Sequence, residues 1–204
     1  MPITAADIIV SARYDLRDEA STQYSDAMLL DFLNRGQRAL CVVLSQLRSD
    51  WVNASASLTL LISSNTVALP TLFISDIDVK IGTESLTKDS VSGIRAARVI
   101  NTTAGKPTRY GIQGTNMLFD VTTDAEYTIT LEYNAGATAL VAGTTMPFND
   151  EFDDILRQFI ILCGKSRNEY IIVSDAAMQD YFYEACFSKL VARNSIPNVS
   201  RMDF

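Results

Sequence analysis

Apolar residues recur at helical spacing near both ends of the chain and at strand spacing in between. Ile8, Ile9, Ala12 and Leu16 share one face of the first segment. Thr4, just ahead of Ala5-Ala6-Asp7, offers a hydroxyl to an early amide, and Asp7 falls in the positive first turn. This predicts a helix ending near Arg17. A polar connection over residues 18–24 follows, then Ser25 as a second cap. Leu29, Leu33, Leu40, Val43 and Leu47 then form one stripe of a helix predicted over residues 26 to about 49. Gly36 lies on that stripe. It reads either as a tolerated helix glycine or as a point where another helix comes close.

After Trp51 the period drops to two. Leu58, Leu60 and Ile62 alternate with Thr59 and Leu61, and Ile77, Val79 and Ile81 with Asp78 and Lys80. Met117, Phe119 and Val121 follow the turn signal Gly114-Thr115-Asn116. Tyr127, Ile129, Leu131 and Tyr133 make the cleanest alternation in the chain. Short strands this close together predict a small antiparallel sandwich or barrel, with turns at Gly82, Gly93, Gly105-Lys106-Pro107 and Gly111. A small-residue loop over 134–147 returns the chain to helix. Asn149 or Asp150 caps it, Asp150, Glu151, Asp153 and Asp154 crowd its start, and Phe152, Ile155, Leu156, Phe159, Cys163, Ser166 and Tyr170 form its apolar face.

A last helix runs from the Ser174-Asp175 break to about Arg193. It carries two stripes, Met178, Phe182, Ala185 and Lys189 on one side and Tyr183, Phe187, Leu190 and Val191 on the other. Two stripes imply burial on two sides, against a neighbouring subunit or at the centre of its own bundle. Residues 194–204 have no periodicity and contain Pro197. They read as an extended arm whose Ile196, Val199, Met202 and Phe204 suit docking on a partner.

The predicted fold is therefore α+β. Helices from the two chain ends (residues 1–56 and 148–193) form one bundle, a β-rich insert spans 57–147, and an arm closes the chain at 194–204. The expected interface comprises Tyr183, Phe187, Leu190, Val191, Ile196, Pro197, Val199, Met202 and Phe204.

Composition narrows the chemistry. With 24 Asp and Glu against 17 Lys and Arg, the net charge is −7, which disfavours nucleic-acid binding by counterion release. There is no histidine, so the commonest general base and metal ligand are missing. Cys41, Cys163 and Cys186 lie far apart in apolar helical stretches and read as small buried hydrophobes in a reducing compartment. Asp7, Asp15, Asp18 and Glu19 are incompatible with a secretory signal, and the longest apolar run, 159–164, is too short to span a membrane. The expectation is synthesis and folding in a cytoplasm.

Candidate motifs fail on spacing. Gly164-Lys165-Ser166 resembles the end of a P-loop, but Phe159 stands where the first glycine is required. Asp76 and Asp78 begin like a calcium loop, yet Ile81 and Thr87 occupy its glycine and glutamate positions. The acidic run at 150–154 is explained by the helix dipole. Trp51, Tyr110, Tyr127 and Tyr133 are candidates for a sugar-stacking platform, but aromatics on alternating strands are more often core or cross-strand pairs. No catalytic, cofactor or metal residue is expected.

ADIIVSARYDLRD at residues 6–18 and YSDAMLLDFLN at residues 24–34 resemble the opening of tailed-phage head–tail adaptor proteins of the podovirus, tail-tubular type. There an ARxxLxD helix precedes a WSDxELLxYLN helix, and Tyr24 and Phe32 stand where tryptophan and tyrosine are frequent. Leu69-Pro70, Pro107-Thr108-Arg109-Tyr110 and the strand around 127–133 agree in outline. The resemblance implies a virion structural protein with no enzymatic activity. It forms a ring, dodecameric in the family, between the portal protein and the tail hub and continues the DNA channel, with a C-terminal arm that grips the portal. Double-stranded DNA passes through without specific binding, and no membrane is involved. Another tail or baseplate interaction component is the alternative, and a glycan-binding tail module a more distant one.

Overall fold

The computed structural model describes residues 3–47, 50–148, 152–168, 180–181, 183–186 and 188. In chain order the elements are helices α1 (Ala5–Leu16) and α2 (Asp26–Gln46), a 3-10 turn (Asp50–Val52), strands β1 (Asn53–Leu60), β2 (Thr66–Ala68), β3 (Phe73–Ile81), β4 (Glu84–Ser85) and β5 (Thr87–Lys88), helix α3 (Val91–Ile100), strands β6 (Arg109–Gln113), β7 (Asn116–Phe119) and β8 (Tyr127–Ala135), and helix α4 (Asp153–Asn168). The protein is α+β. It divides into two compact units, Met1–Trp51 with Ala137–Phe204, and Val52–Gly136.

In the helical unit, Thr4 closes a capping box with Asp7, and Arg17 in the left-handed region (φ 55°) ends α1. Ser25 caps α2 through the Met28 amide. The predicted stripe residues Leu29, Leu33 and Leu40 are fully buried. α4 packs on both α1 and α2, and this explains why Ile160 and Ile161, off the predicted apolar face, are buried as well. Two glycines allow the close approach. A Cβ at Gly36 would lie 2.9 Å from the Phe159 ring, and one at Gly164 would lie 2.9 Å from Leu16. The close-approach reading of Gly36 is the right one.

The loop after Gly136 belongs to this unit and is not a passive linker. The first amides of α1, which have no partner inside the helix, donate to it: Ala5 to the Thr144 carbonyl and Ala6 to that of Ala142, both at 3.0 Å. Asn34 pairs with the Leu140 backbone on both sides, accepting from its amide at 2.7 Å and donating to its carbonyl at 3.2 Å. Gln37 donates to the Thr138 carbonyl at 2.7 Å.

The insert holds two four-stranded sheets, ordered β1-β8-β3-β4 and β2-β7-β6-β5. The first is antiparallel, and the second is mixed because β5 runs parallel to β6. The barrel alternative falls, since the strands make two separate sheets. Residues of both sheets share one core, including Leu60, Val79, Met117, Phe119, Ile129 and Leu131.

Several expectations need correction here. Helix α3 was not anticipated. Gly93, read as a turn, lies inside it, and Gly111, also read as a turn, lies within β6. Gly82 (φ 65°) and Gly114 (φ 58°) do sit in turns. Asn134 and Ala135, assigned to the loop, complete β8. Ile62 lies beyond the end of β1 and is exposed. Ile77 is 48% exposed because a register shift between Asp76 and Asp78 inverts the alternation of β3. The same bulge turns Asp76 inward.

Candidate functional site

Residues of the two opening motifs of the adaptor resemblance assemble in one place. When α1 ends at Arg17 the chain reverses, and Asp18 returns to the guanidinium of Arg13 (Nη1 to Oδ2, 3.1 Å). The other arm of Arg13, Nη2, donates to Asp26 Oδ1 at 2.6 Å. Asp18 also accepts from the amides of Thr22 (2.8 Å), Gln23 (3.0 Å) and Tyr24 (2.9 Å) and from the Thr22 hydroxyl (3.0 Å). Burial alone pushes its carboxyl upward, but these donors outweigh burial and hold it down at about 2. Asp18 thus folds the α1–α2 connection around a single carboxylate, and Arg13 ties that connection to the start of α2. Tyr24 extends the cluster by donating its hydroxyl to the Gly164 carbonyl of α4 at 3.0 Å.

The Arg13–Asp18 pair at its centre is closed to solvent, with Arg13 6% and Asp18 2% exposed, while the Asp26 side chain stays exposed. The carboxylate of Asp18 is occupied by five donors. What the arrangement does chemically is hold three helices in register. Asn34, at the end of the second motif, does the same for the 137–146 loop.

The insert has its own polar ties. The Tyr110 hydroxyl donates to Asp76 Oδ2 at 2.5 Å, and Lys88 Nζ lies 2.6 Å from Asp76 Oδ1. Burial, then the bond to Asp76, pushes the Tyr110 phenol far up, so it stays protonated and is no nucleophile. The triad joins β3 of one sheet to β5 and β6 of the other. Arg98 of α3 donates to the carbonyls of Phe119 (2.6 Å) and Asn65 (2.8 Å), and Asp120 accepts from the amide and hydroxyl of Thr108. Sequence reasoning passed over Arg98, Asp120 and the Asp76–Tyr110 pair. Only the odd placing of an acidic residue within a strand pattern hinted at the last.

The remaining candidates separate. Gly164-Lys165-Ser166 lies within α4, with Gly164 against Leu16 and Tyr24. Asp76 is engaged by Lys88 and Asp78 by Lys80, and among the described residues no cluster of His, Cys, Asp or Glu is placed to hold a metal. The aromatic platform is overturned. Tyr110 is buried, Tyr133 is buried and stacked on Phe73, Tyr127 bonds to Asp124, and Trp51 packs edge-on against Phe152 in the helical unit. Cys41, Cys163 and Cys186 are not joined in disulfides. Cys41 and Cys186 are buried, whereas Cys163 is only partly so. Burial raises the Cys41 thiol to about 11. Among the described residues no helix is long and apolar enough to cross a membrane.

Of the expected interface, Tyr183 is described and exposed. Phe187, Leu190, Val191, Ile196, Pro197, Val199, Met202 and Phe204 lie outside the described residues.

Comparison with known proteins bears directly on this cluster. The family described as SU10 adaptor protein matches residues 3–197, nearly the whole chain and all of the Arg13–Asp18–Asp26 motif. The chain belongs to the SU10 adaptor protein family. That makes it a structural adaptor protein of a tailed phage, as the opening motifs implied. No curated protein matches it. Within the matched region the buried Arg13–Asp18 pair helps build the helical scaffold.

Proposed function

We propose that this chain assembles as a closed ring between the portal vertex and the tail hub of the virion and there continues the channel through which double-stranded DNA leaves the head. The observation that carries this reading is the family match over residues 3–197, with the motif residues consumed in holding the helices together. Each copy then makes two different contacts with its neighbours, a heterologous arrangement that closes when the rotation per subunit divides a full turn. Tyr183, Phe187, Leu190, Val191 and the apolar residues of 194–204 supply contacts to neighbours, and a twelvefold ring follows from the family resemblance.

Net charge supports a conducting role. A chain of charge −7 presents DNA with repulsion, so the duplex slides without being held. The reading assigns no enzymatic activity and no cofactor. Mass spectrometry of purified particles, with mixing of the purified chain and portal protein, tests it. The chain is expected in the particle at ring stoichiometry and in a stable complex with portal, and its absence from the particle would falsify the reading.

A further inference from the structure

Two flanks of the helical unit carry opposite charge. On the first, Asp15 and Asp154 share a single guanidinium, that of Arg157 (3.8 and 3.5 Å), so the flank stays acidic. Beside them a groove of about 170 Å³ opens between the starts of α1 and α4, walled in part by Asp7, Asp153 and Asp154. Val10 and Tyr14 stand exposed along the same helix. On the second flank, the outer face of α2 presents Asp31, Arg35, Arg38 and Val42 at helical steps, all exposed. Among the described residues neither arginine has an ion-pair partner. Arg167 of α4 reaches Met28 near the start of α2 and adds a third cation there.

Helix direction fixes how two copies can meet. α4 runs parallel to α1, because Asp153 and Asp154 lie level with Asp7 and Gly164 lies against Leu16. It runs antiparallel to α2, because Phe159 faces Gly36 and Arg167 faces Met28. α1 and α2 are therefore antiparallel within one copy. The small rotation between neighbours in a many-membered ring keeps α1 of one copy antiparallel to α2 of the next. In that orientation, with Arg38 opposite the acidic groove, Arg35 falls about 5 Å further along, beside Tyr14 and Asp15. Asp31 falls another turn on, beside exposed Arg17. Each charge then meets its opposite, and Arg35 lies within reach of the Tyr14 ring face. The arginine stems cover Val10 and Tyr14, and Val42 falls toward Ile3 at the other end of the groove.

We propose that neighbouring copies join through these flanks, the outer face of α2 in one copy seated on the α1–α4 flank of the next. The proposal rests on the ring reading above and names a contact additional to the C-terminal residues. Charge complementarity selects a second copy of this chain as the occupant, because one flank offers the cations that the other lacks. The contact is heterologous, so each copy gives one flank and receives one, which runs around a ring. Like flanks repel, acid against acid and base against base, and this disfavours a closed twofold pair while leaving head-to-tail addition open.

Two charge-reversed variants of the full chain test this. Arg35→Glu with Arg38→Glu makes both flanks acidic, and Asp15→Lys with Asp154→Lys makes both basic. Electron microscopy and native mass spectrometry of each sample, alone and on portal protein, read the rings. Each variant by itself is expected to yield about tenfold fewer rings than the parent at equal concentration. Mixing the two should restore rings that hold equal numbers of both, because an acidic α2 face then meets a basic α1–α4 flank, and the reverse, at every joint. Trp51 fluorescence in denaturant checks that each variant folds. Val10→Lys with Tyr14→Lys puts the same charge on the same flank through exposed side chains, and it takes the place of the Asp15 and Asp154 changes if those unfold the chain. Parental ring yield from either variant alone overturns the proposal and leaves the ring standing. So does a mixture that stays unassembled while the parent forms rings. A parent chain that forms no ring, alone or on portal, refutes the ring reading itself.

Discussion

The two units use polar groups in contrasting ways. In the helical unit most polar ties are local. Thr4 and Asp7 are three residues apart, Arg13 and Asp18 five, Asp18 and Tyr24 six. In the insert they reach far along the chain: Tyr110 to Asp76 over 34 residues, Arg98 to Asn65 over 33 and to Phe119 over 21. Caps and turns of the first kind form as each helix forms, but ties of the second kind form only once distant strands have met. The helical unit has a second, very distant set, Asn34 to Leu140 over 106 residues and Tyr24 to Gly164 over 140. Its halves are locked across the insert, so its closure waits on the return of the chain. The lesson is that local ties shape each helix, while a few distant ones decide that the two chain ends make one unit.

Trp51, the only tryptophan, packs on Phe152 inside the helical unit, so its fluorescence reports that unit selectively. The largest effect is expected for Gly36→Leu, which drives a side chain into the Phe159 ring and should lower stability in the Trp51 denaturant transition by about 3 kcal/mol. Amide protection in the insert should survive it, and loss in both units together would break the distinction between them. Tyr110→Phe is the reciprocal change. It removes the donor to Asp76 and should lower protection of β3, β5 and β6 by about 1.5 kcal/mol while leaving the Trp51 transition in place.

Asp18 sharpens the comparison through pH. Its folded carboxyl is depressed from 3.8 to about 2, so the stability it confers is complete above the unfolded value and is lost as pH falls through the folded one. Asp18→Asn should therefore be less stable than the parent at neutral pH by the Trp51 transition. The gap should narrow between pH 4 and 2; a constant gap sinks the assignment. The smallest effect belongs to Ser57→Lys, on the exposed face of β1. It should change thermal stability by less than about 0.5 kcal/mol, because no described side chain or core contact depends on it.

The same contrast explains what was legible in the sequence. Thr4, Ser25 and the stripes from Ile8 to Leu40 announce α1 and α2 because caps and helical faces are local patterns. The alternation from Tyr127 to Tyr133 announces β8 equally well, and every inward residue there packs on the core. Helix α3 was invisible. It is ten residues long, its only buried side chain is Ile94, and Val99 and Ile100, 80% and 86% exposed, mimic a buried strand. The bulge at Ile77 was invisible too, since it is defined by the register with β8 and not by β3 itself. Of the functional reading, Arg13, Asp18 and Asp26 stood out in the motif, but that they form one ion-paired cluster depends on the left-handed turn at Arg17.

We propose that these helices scaffold a ring subunit of a phage adaptor. Electron microscopy of the purified chain, alone and mixed with portal protein, addresses it most directly. Closed rings of uniform size with a central hole wide enough for a DNA duplex are expected, seated coaxially on the portal in the mixed sample. Single copies or open filaments in both samples, with portal left bare, contradict it.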